Sequence, residues 1–250
     1  MKCAYLLYTG FGKTKLMLDK IMSYPVMPRV LLLSTKKIVE SSWQAEINKW
    51  YPGKIRYTYI TGEIKAKERL ELINKPTDIL AMNTEMITWY LDNAIEGRNK
   101  STGMIRKFDM VIIDESSLFK NYRSHRFKAI KNWCSKIEDV FILSATPTPK
   151  SIEDLWSQIY LLDGGDRLGK NITAFRNDYG NPIPMYNGQT RYEYSQAAID
   201  YILSLVKDIV VSVPAPDKPL FPEPHIKKVL INPDPATKEL LSRFKNDHQD

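Results

Sequence analysis

The sequence has 250 residues, of which 43% are hydrophobic and 26% are charged. This is ordinary globular usage, and it excludes a disordered, collagen-like or disulfide-stapled chain. Lysine and arginine number 36 against 29 acidic residues, and the resulting net charge of +7 favours a polyanionic partner. The two cysteines, Cys3 and Cys134, are too few to form a metal site and indicate a reducing compartment.

The amino terminus carries no pattern of a targeting or membrane segment. The apolar run Cys3–Leu7 is too short for the hydrophobic region of a signal peptide, and it leads directly into a glycine loop. No stretch approaches the roughly 18 apolar residues that a membrane span needs. We therefore expect a cytoplasmic protein with no membrane partner.

Residues 1–165 alternate short apolar runs with amphipathic stretches. The runs are nearly continuous and end at turn residues, as in strands that are covered on both faces. They predict strands at Cys3–Tyr8, Val30–Ser34, Ile55–Ile60, Ile79–Asn83, Met110–Ile113 and Val140–Ser144. Helical spacing predicts intervening helices over Ser42–Tyr51, Lys65–Asn74 and Phe127–Ile137. The alternation predicts an α/β fold with a mostly parallel sheet flanked by helices.

The sequence changes character after residue 165. The segment Asn181–Pro184 predicts a loop, and a helix is expected over Ser195–Lys207. Seven prolines between residues 214 and 235 exclude a helix interior or a central strand there. We therefore divide the chain into an α/β lobe at 1–165, a helical extension at 166–210 and a proline-rich connector at 211–250.

A glycine loop follows the first predicted strand and precedes a helical pattern. It reads Thr9-Gly10-Phe11-Gly12-Lys13-Thr14. Glycines let backbone N–H groups surround phosphate oxygens, and the N-terminus of the following helix adds positive potential. Lys13 is expected to reach the β- and γ-phosphates, and Thr14 to join a Mg²⁺ shell. The full phosphate-loop pattern fails at its first position, Leu7, so a glycine turn followed by a surface Lys-Thr pair stays open.

Two adjacent carboxylates, Asp114 and Glu115, follow the predicted strand Met110–Ile113. An aspartate at such a strand end can hold Mg²⁺ beside a phosphate loop, and the glutamate can orient or deprotonate a water. On its own the pair is more typical of a solvated turn. Its place downstream of a phosphate loop favours the metal and water-activating roles.

Small hydroxyl residues end the last predicted strand, in the order Ser144-Ala145-Thr146-Pro147. The hydroxyl groups of Ser144 and Thr146 can hydrogen-bond to the loop at Asp114 and Glu115 and transmit a change there. On its own this segment is more typical of a plain strand-to-loop turn.

In this order, the T-G-x-G-K-T loop, the D-E strand end and the S-A-T-P turn resemble motifs I, II and III of superfamily 2 helicases. The segments Asp114–Ala129 and Asp154–Lys170 are similar to the Swi/Snf-like branch, especially its bacteriophage-encoded members. The resemblance covers nearly the whole chain. It implies a RecA-like first lobe that binds ATP and Mg²⁺ and contacts a nucleic-acid backbone, in the host cytoplasm if the chain is phage-encoded.

The resemblance also implies roles by position. Nucleotide contacts fall to Thr9, Gly10, Phe11, Gly12, Lys13 and Thr14. Thr14 and Asp114 would contact the metal, and Lys13, Asp114 and Glu115 would be catalytic. The residues that would couple hydrolysis to movement are Ser144, Ala145 and Thr146. Contacts to nucleic-acid phosphates, with double-stranded DNA as the expected partner, fall to Ser34, Thr35, Lys36, Asn83 and Thr84. Ser34 and Thr35 also fit a helix cap.

Residues 120–136 contain six Lys or Arg and no acid. Aromatic residues are interleaved with them, as in surfaces that contact phosphates and stack bases. We include Lys120 and Arg123 in the candidate nucleic-acid surface, while a solvated helix face stays open as the alternative. Phe127 and Trp133 are expected in the core.

Departures from the family limit what this chain is expected to do. Ser116 and Ser117 stand where many relatives have Ala-His. The sequence has no upstream adenine-recognition segment and no second RecA-like lobe, whose arginine finger contributes about 10³–10⁵ in rate. We expect a weak ATPase at best, completed by a second lobe in cis or in trans. A non-catalytic nucleic-acid or partner-binding module is the alternative, and a P-loop kinase is disfavoured because no acceptor-site motif is visible.

Overall fold

Seven parallel strands form the main sheet. The computed structural model describes residues 1–92, 107–145, 151–186, 188–213 and Thr237. The strands in these residues are β1 (Lys2–Leu7), β2 (Val30–Ser34), β3 (Tyr57–Ile60), β4 (Ile79–Asn83), β5 (Met110–Asp114), β6 (Asp139–Ser144), β7 (Asn181–Pro184), β8 (Thr190–Glu193) and β9 (Val210–Val213). The order of the main sheet is β3-β4-β2-β5-β6-β1-β9, and β7 and β8 form a separate antiparallel hairpin.

Helices cover both faces of the main sheet. They are α1 (Lys13–Met22), α2 (Trp43–Trp50), α3 (Ala66–Asn74), α4 (Met86–Tyr90), α5 (His125–Cys134), α6 (Glu153–Asp163), α7 (Ile172–Tyr179) and α8 (Gln196–Val206). The first two helices pack on the face that carries Leu32 and Ile112, and the others contribute to the core on the face that carries Leu31 and Ile113. Because β2, β5 and β6 are buried on both faces, their sequences are apolar without alternation.

This architecture confirms the predicted α/β class with a mostly parallel sheet. All six predicted strands are present, although the one predicted at Ile55–Ile60 begins only at Tyr57. The predicted helices over Lys65–Asn74 and Phe127–Ile137 correspond to α3 and α5, and the helix predicted over Ser195–Lys207 corresponds to α8.

The helix α2 differs in detail from its sequence pattern. A π-helical turn at Ile38–Ser42 precedes it. Trp43 and Ile47 are buried, as their spacing predicts, but Trp50 is 44% exposed and donates its indole N–H to Glu46 at 2.8 Å. The buried face of α2 therefore contains Trp43 and Ile47 but not Trp50, although the spacing of the three residues predicts that all of them are buried.

The predicted loop at Asn181–Pro184 is wrong, because this segment is β7 and pairs with β8. Proline cannot donate to a strand ladder, but each strand of a two-stranded hairpin has an outer edge that tolerates it. The strand β9 is also missing from the predicted elements, although Ile209-Val210-Val211 is a β-branched run typical of strands. It joins the sheet through parallel pairing with the distant β1, with Ala4 opposite Val210.

The described residues from Met1 to Val213 belong to one compact unit. The boundary between 1–165 and 166–210 stays a prediction. The proline-rich connector beyond Val213 lies outside the described residues, apart from Thr237. Across the described ranges, every helix is too short or too polar to cross a membrane.

Two arginine–aspartate pairs stand at the amino-terminal ends of the central strands. Asp78 precedes β4 and accepts the backbone N–H of Arg56 at 2.8 Å together with its guanidinium N–H groups. Asp109 precedes β5 and accepts the same three groups from Arg29. The side chain of Asp78 is 10% exposed and that of Asp109 is 46% exposed, so one geometry recurs in two solvent environments.

We predict that Asp78→Ala lowers the free energy of unfolding by about 1–3 kcal/mol, because it leaves a partly buried backbone N–H without its acceptor. Asp109→Ala is expected to lower it by less than about 1 kcal/mol, because water replaces an exposed carboxylate. Urea unfolding of the two variants and the wild type tests this difference. Equal losses would contradict the burial argument.

Candidate functional site

The loop between β1 and α1 has the backbone geometry of an anion site. Gly10 and Gly12 have φ angles of 88° and 70°, a left-handed conformation that glycine adopts without steric cost. Gly12 directly precedes α1, so the loop leads straight into a helix N-terminus. The first N–H groups of a helix have no intrahelical acceptor and attract anions.

Lys13 is the first residue of α1, and its side chain folds back over the loop. Its Nζ donates to the carbonyl oxygen of Leu7 at 2.9 Å and to that of Tyr8 at 3.4 Å. The N–H of Phe11 also donates to the Tyr8 carbonyl, at 3.2 Å, and the two rings pack edge to face. These contacts fix the shape of the loop around the lysine ammonium.

An open cleft of about 540 Å³ lies at the carboxyl ends of β1 and β5. It brings together predicted nucleotide, metal, catalytic and coupling residues, namely Thr9, Gly10, Gly12, Lys13, Thr14, Asp114, Glu115 and Ala145. Its other wall consists of Lys15, Ile38, Ser42, Ala45 and Glu46. Phe11 is not among the lining residues. The strand order β5-β6-β1 explains this convergence, because parallel neighbours end at one edge of a sheet.

Asp114 is the buried carboxylate of the cleft, with 7% exposure. Burial raises its pKa above the ordinary value, whereas a hydrogen bond from Trp43 and the positive charge of Lys13 lower it. Trp43 Nε1–H donates to Asp114 Oδ2 at 2.9 Å. A lysine ammonium and a buried carboxylate thus act on each other within one pocket.

Thr14 and Asp114 have the chemistry of a magnesium site. Mg²⁺ takes oxygen ligands, keeps several waters, and is usually bound through one or two carboxylates plus substrate phosphates. Both residues line the cleft. Over the described ranges there is no cluster of three or more His, Cys, Asp or Glu that could hold a metal. A cation at Asp114 would therefore depend on phosphate oxygens for its remaining ligands.

Glu115 has a strained backbone, with φ 63° and ψ 59°. Among the described residues it is the one non-glycine residue with positive φ, a conformation that costs an L-residue about 1–2 kcal/mol. Its Oε1 accepts a hydrogen bond from Ser117 Oγ at 2.8 Å. Ser116 Oγ instead donates to Gln158 Oε1 at 2.6 Å. The two serines that replace Ala-His thus hold the carboxylate and tie its loop to α6.

The end of β6 lies between the phosphate loop and the acidic pair. β6 pairs with both β1 and β5, and Leu143 is opposite Asp114. Ser144 is fully buried, and Ala145 lines the cleft. Thr146, the third predicted coupling residue, lies outside the described residues.

A second polar cluster lies at the ends of β2 and β4. Ser34 and Asn83 are directly opposite each other in the parallel register. Ser34 Oγ and Asn83 Oδ1 are buried, and neither has a hydrogen-bond partner within the described part of the chain. Since buried polar atoms are nearly always paired, such atoms indicate a site for water or a ligand.

Arg126 reaches this second cluster from the first turn of α5. Its guanidinium donates to Thr84 Oγ1 at 3.2 Å and lies 3.6 Å from the carboxylate of Glu85. Glu85 also accepts a hydrogen bond from Asn83 Nδ2 at 2.7 Å. No sequence pattern distinguishes Arg126 from the other basic residues of 120–136, because the packing of α5 against α4 sets its position.

Thr35 and Lys36 follow the end of β2. The carbonyl of Thr35 accepts the N–H of Val39 at 3.1 Å, an α-helical type of bond just before the π-helical turn Ile38–Ser42. The ammonium of Lys36 pairs with Glu63 and lies 3.8 Å from Glu40. The positive charge of Lys36 is therefore offset in this structure.

The basic segment 120–136 combines core and surface residues. Lys120 is half-buried, and Arg123 is exposed with its guanidinium 5.4 Å from the centre of the Tyr122 ring. Phe127 is 2% exposed, which confirms its predicted place in the core. Trp133 is only half-buried and packs edge-on against Phe108.

The sheet is parallel and has helices on both faces, and its glycine loop lies at a helix N-terminus. The acidic pair follows β5, which is separated from β1 by one strand, β6. These features together define a P-loop protein with a RecA-like fold. The model of the SNF2-related domain matches residues 8–240, and the chain belongs to this family.

Two relatives illustrate the extent of the similarity. The chain is 26% identical over 226 residues to putative protein p41 of Acyrthosiphon pisum secondary endosymbiont phage 1, which covers 83% of this chain and 46% of that protein. It is 24% identical over 163 residues to Helicase SWR1 of Saccharomyces cerevisiae, which covers 62% of this chain and 10% of the helicase. The chain thus spans about half the length of the phage protein and about a tenth of the length of the helicase.

A solved structure has a similar fold. The Sulfolobus solfataricus SWI2/SNF2 ATPase core in complex with double-stranded DNA matches with a TM-score of 0.58 and 18% identity, over 85% of this chain and 40% of that chain. Together with the family match, this confirms the predicted Swi/Snf-like first RecA-like lobe.

We predict that Glu115→Gly is more stable than Glu115→Ala. Both variants lose the carboxylate and the contact with Ser117, but only glycine relieves the left-handed backbone, a difference of about 1 kcal/mol. Parallel urea unfolding curves measure this difference. An alanine variant as stable as the glycine variant would mean that the backbone is not held in the left-handed region.

Proposed function

We propose that this chain is the ATP-binding first lobe of a nucleic-acid-dependent helicase or translocase. The observation that carries the proposal is the single cleft that Lys13, Thr14, Asp114 and Glu115 line together. These residue types supply positive charge for a triphosphate, oxygen ligands for Mg²⁺, and a carboxylate for a water. Membership in the SNF2-related family supports ATP as the nucleotide.

In the proposed mechanism the loop binds the phosphates and the acidic pair handles the metal and the water. Backbone N–H groups of Gly10, Gly12, Lys13 and Thr14 donate to phosphate oxygens, and the Lys13 ammonium offsets the charge of the β- and γ-phosphates. Thr14 and Asp114 would hold Mg²⁺, which would supply Lewis-acid polarisation of the γ-phosphate. Glu115 orients the attacking water and accepts its proton, with its carboxylate held by Ser117.

Turnover in this proposal needs a second RecA-like lobe, on the same polypeptide or on another. The chain covers 46% of the phage relative and 40% of the solved SWI2/SNF2 core chain, which leaves room for such a lobe in both. An arginine from that lobe would contribute about 10³–10⁵ in rate. Ser144 ends β6, and Ala145 and Thr146 follow it in the sequence. In the proposal these three residues pass the state of the acidic pair to the rest of the molecule.

We extend the proposal to a nucleic-acid backbone at the ends of β2 and β4. The hydroxyl of Ser34, which has no hydrogen-bond partner among the described residues, and the guanidinium of Arg126 beside Thr84 are donors suited to phosphate oxygens. Lys120 and Arg123 add positive charge along the chain before α5. The net charge of +7 supports a polyanionic ligand, and the complex of the solved relative supports double-stranded DNA. Phosphate contacts of this kind position a duplex without reading its sequence.

We predict that Lys13→Ala weakens binding of Mg²⁺–ATP by about 10–100-fold, because a hydrogen-bonding charge that faces the phosphates is lost. Isothermal titration calorimetry measures the affinity. Lys20→Ala is the matched control, since Lys20 lies on the same helix but stacks on Tyr24 outside the cleft. A wild-type chain that binds no nucleotide would favour the non-catalytic binding module instead.

We predict that Arg126→Ala weakens binding of duplex DNA and lowers the slope of log K against log salt by about 1, as expected for one lost phosphate contact. Fluorescence anisotropy at several salt concentrations measures both quantities. Lys54→Ala is the charge-matched control, because Lys54 is exposed shortly before β3, at the opposite edge of the sheet. Equal effects of the two variants would assign DNA binding to net charge alone.

A further inference from the structure

A buried indole on α2 contacts the carboxylate at the end of β5. Trp43 is the first residue of α2 and is fully buried. Its Nε1–H donates to Asp114 Oδ2 at 2.9 Å, in a bond that is itself buried. Trp43 belongs to the apolar cluster that also contains Ile47 and Ile112. The indole thus enters the core between α2 and the sheet and directs its one polar atom at the acidic strand end.

The hydrogen bond between Trp43 and Asp114 restricts the orientation of the Asp114 carboxylate. An indole N–H can only donate, and an ionised carboxylate can only accept, so neither group can reverse its role. Because the bond is buried, bulk water does not replace the donor when it is lost. Packing alone requires no such donor, as Ile47 shows one helical turn further along the same buried face of α2.

The helix that carries Trp43 also forms a wall of the cleft. Ser42, Ala45 and Glu46 line the cleft, whereas Trp43 does not. The π-helical turn Ile38–Ser42 ends immediately before Trp43, and such turns are rare and frequent at functional sites. Trp43 therefore acts on the cleft through its hydrogen bond to Asp114, since its own side chain does not line the cleft.

We propose that Trp43 is a positioning residue that orients the Asp114 carboxylate toward Mg²⁺ and so sets the affinity for the metal–nucleotide complex. This inference rests on the proposed function, in which Asp114 is a metal residue. Outer partners that orient a metal ligand contribute about 10–100-fold to metal affinity. Removal of the indole N–H should therefore weaken the part of the ATP affinity that depends on Mg²⁺ and leave the part that does not.

The test measures the affinity of the full chain for ATP by calorimetry, once in Mg²⁺ and once in EDTA. Trp43→Phe is expected to bind about 10–100-fold more weakly than the wild type in Mg²⁺ and equally well in EDTA. Trp156→Phe is the matched control, because Trp156 is buried and donates its indole N–H to the Gly169 carbonyl at 3.1 Å, away from the cleft. It should match the wild type under both conditions.

A second variant separates the N–H group from the shape of the side chain. Replacement of Trp43 by benzothienyl-alanine keeps the bicyclic ring and removes only the donor, so it decides the question if Trp43→Phe perturbs folding in a thermal melt. In an Asp114→Ala background, Trp43→Phe should cause no further loss in Mg²⁺.

Equal losses in Mg²⁺ and EDTA, or no loss in either, would assign Trp43 to packing and overturn the inference. A wild-type chain that binds ATP in neither condition would reject the proposed function, and the inference with it. A wild type that binds equally with and without Mg²⁺ would reject the inference while leaving nucleotide binding in place.

Discussion

Parallel pairing of β5, β6 and β1 is the constraint on which the site depends. Since neighbouring strands are about 4.8 Å apart, the ends of β1 and β5 are separated by about 10 Å, with β6 between them. This distance suits a triphosphate and its cation, bound by the loop on one side and the carboxylates on the other. If β1 and β5 ran in opposite directions, Lys13 and Asp114 would lie at opposite edges of the sheet and could not act on one ligand.

The two edges of the sheet differ in how their polar groups are paired. At the amino-terminal edge, Asp78 and Asp109 each accept three hydrogen bonds from one arginine, so these groups stabilise the fold. At the carboxyl-terminal edge, the buried hydroxyl of Ser34 has no partner among the described residues, and Glu115 has a strained backbone. Burial there also raises the pKa of Asp114 and so disfavours its charged form. The packed core thus stabilises a fold in which these three residues lack favourable partners or backbone conformations until a ligand binds.

The sequence predicts those features that depend on local pattern. Apolar runs identify the buried strands, and two glycines before Lys13 identify the loop, because their positive φ angles exclude most other residues. Features that depend on distant pairing are not predictable in this way. The bond between Trp43 and Asp114 joins residues 71 positions apart, and the place of β9 beside β1 likewise depends on residues distant in sequence. Arg126 similarly acquires its position from helix packing rather than from its neighbours in sequence.

A crystal structure of the chain with Mg²⁺ and a non-hydrolysable ATP analogue tests the central claim most directly. The account predicts that the β- and γ-phosphates lie against the backbone of Gly10–Thr14 and that the metal lies between Thr14 and Asp114. Phosphates bound elsewhere on the molecule, or a metal remote from Asp114, would contradict it.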